Sequence, residues 1–150
     1  MEGTEMNRAQ KYPNTETFVF HNQNPHNRFT SDCVIRAISA ATKIPYNEVV
    51  MGLAEIQCKT GFDDGETKCI DRYLKSKGWE MQKQPRKDDN TKYTGEQFCR
   101  ALKRGELEFK NDDRIVANIG GHHMVAIINW QIWDTWDSTD GCIGRYWVKK

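Results

Sequence analysis

The chain has 150 residues, a length that suits one domain with a single hydrophobic core. Hydrophobic residues make up 37% and charged residues 29%, and a formal net charge of +1 gives no overall field that would favour nucleic acid or an anionic membrane. The longest apolar run, residues 124–128, is far below the roughly 20 residues that cross a bilayer, and the polar start does not resemble a signal peptide. We therefore expect a cytoplasmic protein with neither nucleic acid nor a membrane as its partner.

The first elements follow a polar start. Residues 1–14 are polar and predict a flexible N-terminal arm, followed by a single domain over residues 15–150. The run TFVFH alternates weakly and predicts an edge strand, and the polar stretch after it predicts a loop. The next apolar residues recur at helical spacing, so a helix is predicted to start close to Cys33.

Three further helices are predicted: one after Pro45, one over residues 67–77 that ends before Gly78, and one over residues 95–103 with Thr94 as its N-cap. The pattern then changes, because the rest of the chain consists of short β-branched or aromatic runs separated by Gly, Asn or Asp. This order predicts an α+β fold in which N-terminal helices pack on a C-terminal antiparallel sheet.

Five cysteines, an odd number at scattered spacings, favour a reducing compartment over a disulfide framework. Neither a CxxC nor an HxxxH pair is present, and the acidic run FDDGE lacks the spacing of a calcium loop, so we expect no metal site and no cofactor. Most of the cysteines are expected to be small core residues. They are Cys33, Cys58, Cys69, Cys99 and Cys142.

Cys33 differs from the others because it lies at the start of a predicted helix. With Ser31 as the N-cap (Thr30 is the alternative), Cys33 is the second residue of the helix, where unpaired backbone N–H groups and the helix dipole lower the pKa of a thiol. Asp32 acts in the opposite direction, because a neighbouring carboxylate disfavours a thiolate. A buried cysteine in an amphipathic helix would have the same pattern, so both interpretations stay open at this point.

The segment GGHHMVAIINWQIWDTWDS predicts a β-hairpin that turns at its central Asn-Trp step. A turn of two or four residues there puts His123 opposite Trp136 and on the same face as Asp134. His122 then faces the other way and pairs with Asp137, whereas a three-residue turn would break this pairing. A histidine beside an aspartate on the next strand matches the base and orienter of a nucleophilic triad. The alternatives are surface histidines next to carboxylates, and a role for Asp137 in capping the turn that follows.

These segments, in this order, resemble the papain-like cysteine peptidase superfamily. SDCVIRAIS resembles the nucleophile helix of bacteriocin-leader-processing members, HMVAI resembles their histidine-bearing strand, and IWDTW resembles the Asn-Ser-Trp step of papain, with Asp134 in the orienter's place. Small phage-encoded members are similar as well. The resemblance covers residues 27–136 and implies a papain-like fold, with the nucleophile helix packed on the sheet.

The resemblance also implies an activity. It is that of a cysteine hydrolase, a peptidase or isopeptidase, which works through a thioester intermediate with Cys33 as nucleophile, His123 as base and Asp134 as orienter. The place of the superfamily's oxyanion-binding Gln holds Asn27, which can donate the same amide hydrogen bond, and Gln23 is the fallback donor.

A substrate groove is expected beside this site, with Trp136 and His122 as candidate wall residues. We expect a monomer that acts on a peptide or protein substrate, in the host cytosol if the protein is phage-encoded. Two alternatives use the same three residues or the same fold: an acyltransferase of the transglutaminase type, and a catalytically inactive binding protein such as a phage or bacterial effector that blocks a host protein. The three residues do not indicate whether water or an amine takes the acyl group from the thioester. The sequence therefore leaves both a hydrolase and a transferase open.

Overall fold

A computed structural model describes residues 8–107 and 114–150 of the chain. Within these ranges the protein is a mixed α+β structure, as predicted. The helices are α1 (Cys33–Thr42), α2 (Tyr46–Thr60), α3 (Thr67–Ser76) and α4 (Gly95–Lys103). The strands are β1 (Phe18–Phe20), β2 (Trp79–Gln82), β3 (Arg114–Ile119), β4 (His123–Ile128), β5 (Gln131–Asp134) and β6 (Ile143–Lys149).

Part of the predicted N-terminal arm, residues 1–7, lies outside the described residues. Residues 8–11 form a helical turn, and Arg8 Nε donates a hydrogen bond of 2.7 Å to the backbone oxygen of Thr135. The guanidinium of Arg8 also lies 4.7 Å from the centre of the Phe29 ring. The described part of the arm therefore contacts the segment that follows β5.

The six strands form one sheet in the order β1-β5-β4-β3-β6-β2. Neighbouring strands are antiparallel except β1, which runs parallel to β5. The prediction of an antiparallel C-terminal sheet is therefore wrong in two respects. The sheet is mixed, and both of its edge strands precede α4 in the chain. A parallel pair needs a long crossover connection, and the chain between β1 and β5 contains all four of these helices. Periodicity along the sequence predicts the edge strand β1 but cannot indicate which strand it joins.

The β4–β5 hairpin has the predicted register. Its turn residues, Asn129 and Trp130, have φ values of 52° and 65°, and two central residues with positive φ are the mark of a two-residue type I′ turn. Ala126 pairs with Trp133 and Ile127 with Ile132. The start of β4 and the end of β5 consequently lie beside each other at the same end of the sheet.

Two apolar clusters cover opposite faces of the sheet. On one face, α1, α2 and α3 pack on strand side chains that include Met124 and Trp147. On the other face, Phe98 of α4 packs with strand residues of the opposite parity, such as Val125. Because the central strands are covered on both faces, their sequences form continuous apolar runs. None of the described helices is long and apolar enough to cross a membrane.

Helix α1 begins one residue later than predicted. Asp32, not Thr30 or Ser31, occupies the N-cap position, and Cys33 is the first residue of the helix. The side chain of Asp32 makes no capping bond, because its carboxylate turns towards Arg36, with Oδ1 2.7 Å from Nε. The first turn of α1 is therefore left without a side-chain cap where Cys33 lies.

Helix α4 is fixed by a capping box at its start. The Thr94 hydroxyl accepts from the Gln97 N–H at 3.1 Å, and the Gln97 side chain accepts from the Thr94 N–H at 3.0 Å. We expect Thr94→Ala to lower the free energy of unfolding by about 1 kcal/mol, the usual value of an N-cap. Urea denaturation measures this loss. Thr67→Ala is the matched control, because α3 has no side-chain cap, and an equal loss in both variants would contradict the assignment.

Candidate active site

Three residues predicted from the sequence meet at one end of the sheet. His123 begins β4, Asp134 ends β5, and Cys33 begins α1, the helix that packs against β4. His123 Nε2 lies 2.5 Å from Asp134 Oδ2 and donates to this carboxylate oxygen. The Cys33 thiol lies close enough to the His123 side chain and to the backbone N–H of Met124 for both groups to lower its pKa. Since Nε2 faces Asp134, Nδ1 is the ring nitrogen left for the thiol.

The electrostatics of this contact favour a charged pair. Burial opposes ionisation of the Cys33 thiol, but the hydrogen bonds from His123 and the Met124 N–H outweigh burial and hold the pKa of the thiol below its ordinary value. Burial likewise opposes a charge on His123, but its bonds to Asp134 and Cys33 raise the pKa of the imidazole to about 9. The two shifts have opposite signs and share one cause, because each group stabilises the ionised form of the other. Asp134 adds to the shift of His123.

Asp134 is held on both carboxylate oxygens, and its side chain is almost completely buried. Oδ2 accepts from His123, while Oδ1 accepts from Arg36 Nη1 at 2.9 Å and from the Thr135 N–H at 2.7 Å. A carboxylate with three donors has no freedom to rotate away from the imidazole. Asp134 therefore fixes the orientation of the His123 ring.

Asp32 belongs to the same buried network. Its Oδ2 accepts from the Tyr46 hydroxyl at 2.6 Å and from Asn24 Nδ2 at 3.0 Å, and its Oδ1 accepts from Arg36 Nε. Burial alone would raise the pKa of Asp32, but the bonds from Tyr46, Arg36 and Asn24 outweigh burial and lower it. The sequence predicts that Asp32 opposes a thiolate at Cys33, whereas in the structure its negative charge is directed to Arg36 and compensated there.

The remaining hairpin residues separate as the register predicts. His122 is exposed and precedes His123 in the chain. Asp137 accepts from the N–H and the hydroxyl of Thr139 at 3.0 and 2.6 Å. Asp137 therefore caps the turn, which is the alternative that the sequence leaves open for it. The Trp136 ring lies 4.9 Å from the His123 ring, centre to centre, and covers it from one side.

The structure does not bring Asn27 or Gln23 into this group of contacts. Asn27 is exposed in the loop before α1, with a φ of 53°, and its side-chain oxygen lies 3.5 Å from Asn22 Nδ2. The amide of Gln23 contacts the ring of His21 at 2.6 Å and the hydroxyl of Ser39 at 3.0 Å. The predicted role of Asn27 as an oxyanion donor therefore stays a prediction.

A cavity of about 980 Å³ opens beside Cys33. Its lining includes buried and half-buried apolar side chains, among them Val34, Ile35 and Met124. Of the two candidate groove residues, His122 lines this cavity and Trp136 does not. The lining also includes exposed charges of both signs, namely Asp64, Glu66, Lys68, Lys83 and Arg145.

Arg36 and the loop between α2 and α3 are the parts of the site that the sequence does not indicate. Arg36 is a single charged residue within the apolar stripe of α1, four residues after Asp32, and this i,i+4 pair is the signal that could have drawn attention to it. The loop carries the FDDGE run, which lines the cavity but has no local pattern that suggests a substrate groove.

Among the described residues, no group of three or more His, Cys, Asp or Glu side chains is placed to hold a metal ion. No protein-family model matches the sequence, and no curated protein or solved structure matches it either. The chemistry of the site has to follow from its own side chains.

Proposed function

We propose that the protein is a cysteine hydrolase that cleaves a peptide or isopeptide bond through a thioester intermediate. The observation that carries this proposal is the placement of Cys33 beside His123, which is hydrogen bonded to Asp134, with an open cavity next to the thiol. A low-pKa thiol, a base that touches it and a buried carboxylate that orients the base are the components that nucleophilic cysteine chemistry needs.

The mechanism assigns one task to each residue. His123 holds the proton of the Cys33 thiol, and the thiolate attacks the substrate carbonyl carbon to form a tetrahedral oxyanion. Collapse of this intermediate breaks the C–N bond, and the imidazolium gives its proton to the leaving amine. Water, activated by the neutral His123, then hydrolyses the thioester and restores the thiol. Asp134 keeps the imidazole in one orientation throughout and stabilises its positive charge.

The start of α1 supports stabilisation of the oxyanion. Cys33 is the first helical residue, so its backbone N–H has no acceptor within the helix, and the first turn lacks a side-chain cap. An N–H group at this position donates towards the oxygen of a carbonyl attacked by the Cys33 sulfur. The amide of Asn27 is the proposed second donor, and it would have to approach from the loop before α1.

A papain-like architecture is the finer description of the fold that we propose. The thiol begins a helix that packs on the sheet, while the base and its orienter lie on adjacent antiparallel strands at the same end. Trp136 beside the His123 ring supports the same description, because an indole in this place shields the bond between base and orienter from water.

Thiol reactivity tests the proposal at its first step. We expect iodoacetamide to alkylate Cys33 at pH 6 at least about tenfold faster than an ordinary thiol with a pKa near 8.5, because much more of it is thiolate. Cys58 and Cys142 are internal references, since both are more exposed than Cys33. Mass spectrometry of digests gives the rate at each cysteine across the pH range. Equal rates at Cys33 and Cys58 would contradict the proposed nucleophile.

Hydrolysis itself is tested on a peptide library, with cleavage products read by mass spectrometry. We expect products with the wild-type protein and none with Cys33→Ala, because no other side chain among the described residues occupies the place of the nucleophile beside His123. Cys58→Ala is the matched control and should cleave as the wild type does. Identical product patterns from wild type and Cys33→Ala would reject the hydrolase.

A further inference from the structure

Arg36 is a buried cation to which the proposed triad gives no task. It lies in the second turn of α1 and is only 8% exposed. Its guanidinium donates from Nε to Asp32 Oδ1 at 2.7 Å and from Nη1 to Asp134 Oδ1 at 2.9 Å. One side chain thus joins two carboxylates from different elements, the residue that precedes Cys33 and the last residue of β5.

The two carboxylates need this cation. Asp32 and Asp134 are 6% and 1% exposed. Two carboxylates removed from water repel each other, and a positive charge between them offsets this repulsion. A guanidinium stays protonated throughout the pH range of proteins, so Arg36 supplies a charge that does not titrate together with the site.

The same guanidinium also restricts the geometry. Asp32 is anchored to α2 through the Tyr46 hydroxyl and to the preceding loop through Asn24. Arg36 extends this anchor to Asp134, and its planar fork fixes both carboxylates in direction as well as in distance. The start of α1, which carries the thiol, and the end of β5, which carries the orienter, are therefore joined by two buried ion pairs.

We propose that Arg36 is a positioning residue of this site, which holds the Asp134 carboxylate against His123 and ties it to Asp32 at the start of the nucleophile helix. The inference rests on the proposed function, because Arg36 acts on the thiol only through Asp134 and His123. It extends the functional unit from three residues to five, with Asp32 and Arg36 as the added members.

The test compares alkylation of Cys33 by iodoacetamide between pH 4.5 and 9.5 in the wild type, Arg36→Gln and Arg36→Lys. In Arg36→Gln we expect the apparent pKa of the thiol to rise by about one unit and the rate at pH 6 to fall about tenfold. Arg36→Lys keeps the charge but has no planar fork, so part of the loss should be restored. Arg114→Gln is the matched control, because Arg114 contacts the opposite end of α1 through the Ala40 carbonyl at 2.8 Å and should leave the profile unchanged.

Circular dichroism establishes that each variant is folded before its profile is read. If Arg36→Gln is unfolded, the double variant Asp32→Asn/Arg36→Gln replaces it. The double variant removes one carboxylate charge together with the cation, and Asp134 still loses its bond to the guanidinium. A folded variant whose profile coincides with that of the wild type would overturn the inference. A wild type whose Cys33 titrates as an ordinary thiol would instead contradict the proposed nucleophile, so the two failures are distinct.

Discussion

His123→Ala should remove the high reactivity that we propose for Cys33. The variant loses the hydrogen bond and the charge that lower the pKa of the thiol, while burial, which raises it, remains. The rise of the alkylation rate with pH should therefore move upwards, to about pH 8.5 or above, the pKa of an unperturbed thiol. We expect the rate at pH 6 to fall by at least about tenfold, because one pKa unit changes the thiolate fraction by that factor. Iodoacetamide labelling read by mass spectrometry measures both quantities.

His122→Ala is the control for this experiment. His122 is the neighbouring histidine, it is exposed, and the hairpin register turns it away from Asp134. Its replacement should leave the labelling rate of Cys33 within about twofold of the wild type, as expected for a surface substitution that keeps the site intact. Loss of reactivity in His122→Ala but not in His123→Ala would show that the wrong histidine has been assigned as the base.

Asp134→Ala should have the second large effect, on stability as well as on reactivity. The substitution leaves the buried guanidinium of Arg36 with one carboxylate in place of two and leaves the His123 ring without its orienter. Removal of one partner from a buried ion pair costs about 3–5 kcal/mol. Urea denaturation should report a loss of this size, and the labelling rate of Cys33 at pH 6 should fall together with it.

Asp134→Asn separates charge from shape at the same position. Two donors, Arg36 Nη1 and the Thr135 N–H, face Oδ1, so the amide oxygen should take this place and the amide NH₂ should face His123. Nε2 must then accept a hydrogen bond, Nδ1 keeps its proton, and the ring cannot receive the proton of Cys33. We expect a fold close to that of the wild type and a loss of reactivity at pH 6 of at least about tenfold.

Asp137→Asn is the matched control for both Asp134 variants. Asp137 lies three residues further along the chain, is half-buried and accepts only from Thr139 among the bonds that the structure describes for it. Its replacement should leave the pH profile of Cys33 unchanged. A shift of the profile in Asp137→Asn, with none in Asp134→Asn, would contradict the assignment of the orienter.

The hairpin could be predicted because its signals are local. An Asn-Trp step between two apolar runs predicts the turn, and strand alternation then decides which histidine shares a face with which aspartate. The register of the structure, with Ala126 opposite Trp133, agrees with that prediction. Helix α4 is a similar case, since Thr94 and Gln97 form a capping box within four residues.

The partners of the buried charges could not be predicted in this way. Asp32 precedes the candidate nucleophile in the sequence and is expected to oppose its ionisation, but Tyr46 comes from the next helix and Asp134 lies about a hundred residues further along the chain. The i,i+4 spacing of Asp32 and Arg36 is a local signal of their pairing, but it does not show that Arg36 also turns inward to Asp134. The sign of the effect of Asp32 depends on these distant contacts, because a carboxylate that is paired with a guanidinium no longer repels a thiolate.

The sequence by itself determined the α+β class, most helix boundaries and the pairing of His123 with Asp134, since each depends on residues close together in the chain. The tertiary structure alone decided that β1 joins β5 in parallel, that Cys33 reaches His123, and that Arg36 lies between two carboxylates. These contacts join segments up to about a hundred residues apart, and they form only when α1 packs across β4 and buries an apolar face. Burial then strengthens the few polar contacts in the interior, because water does not compete for their hydrogen bonds.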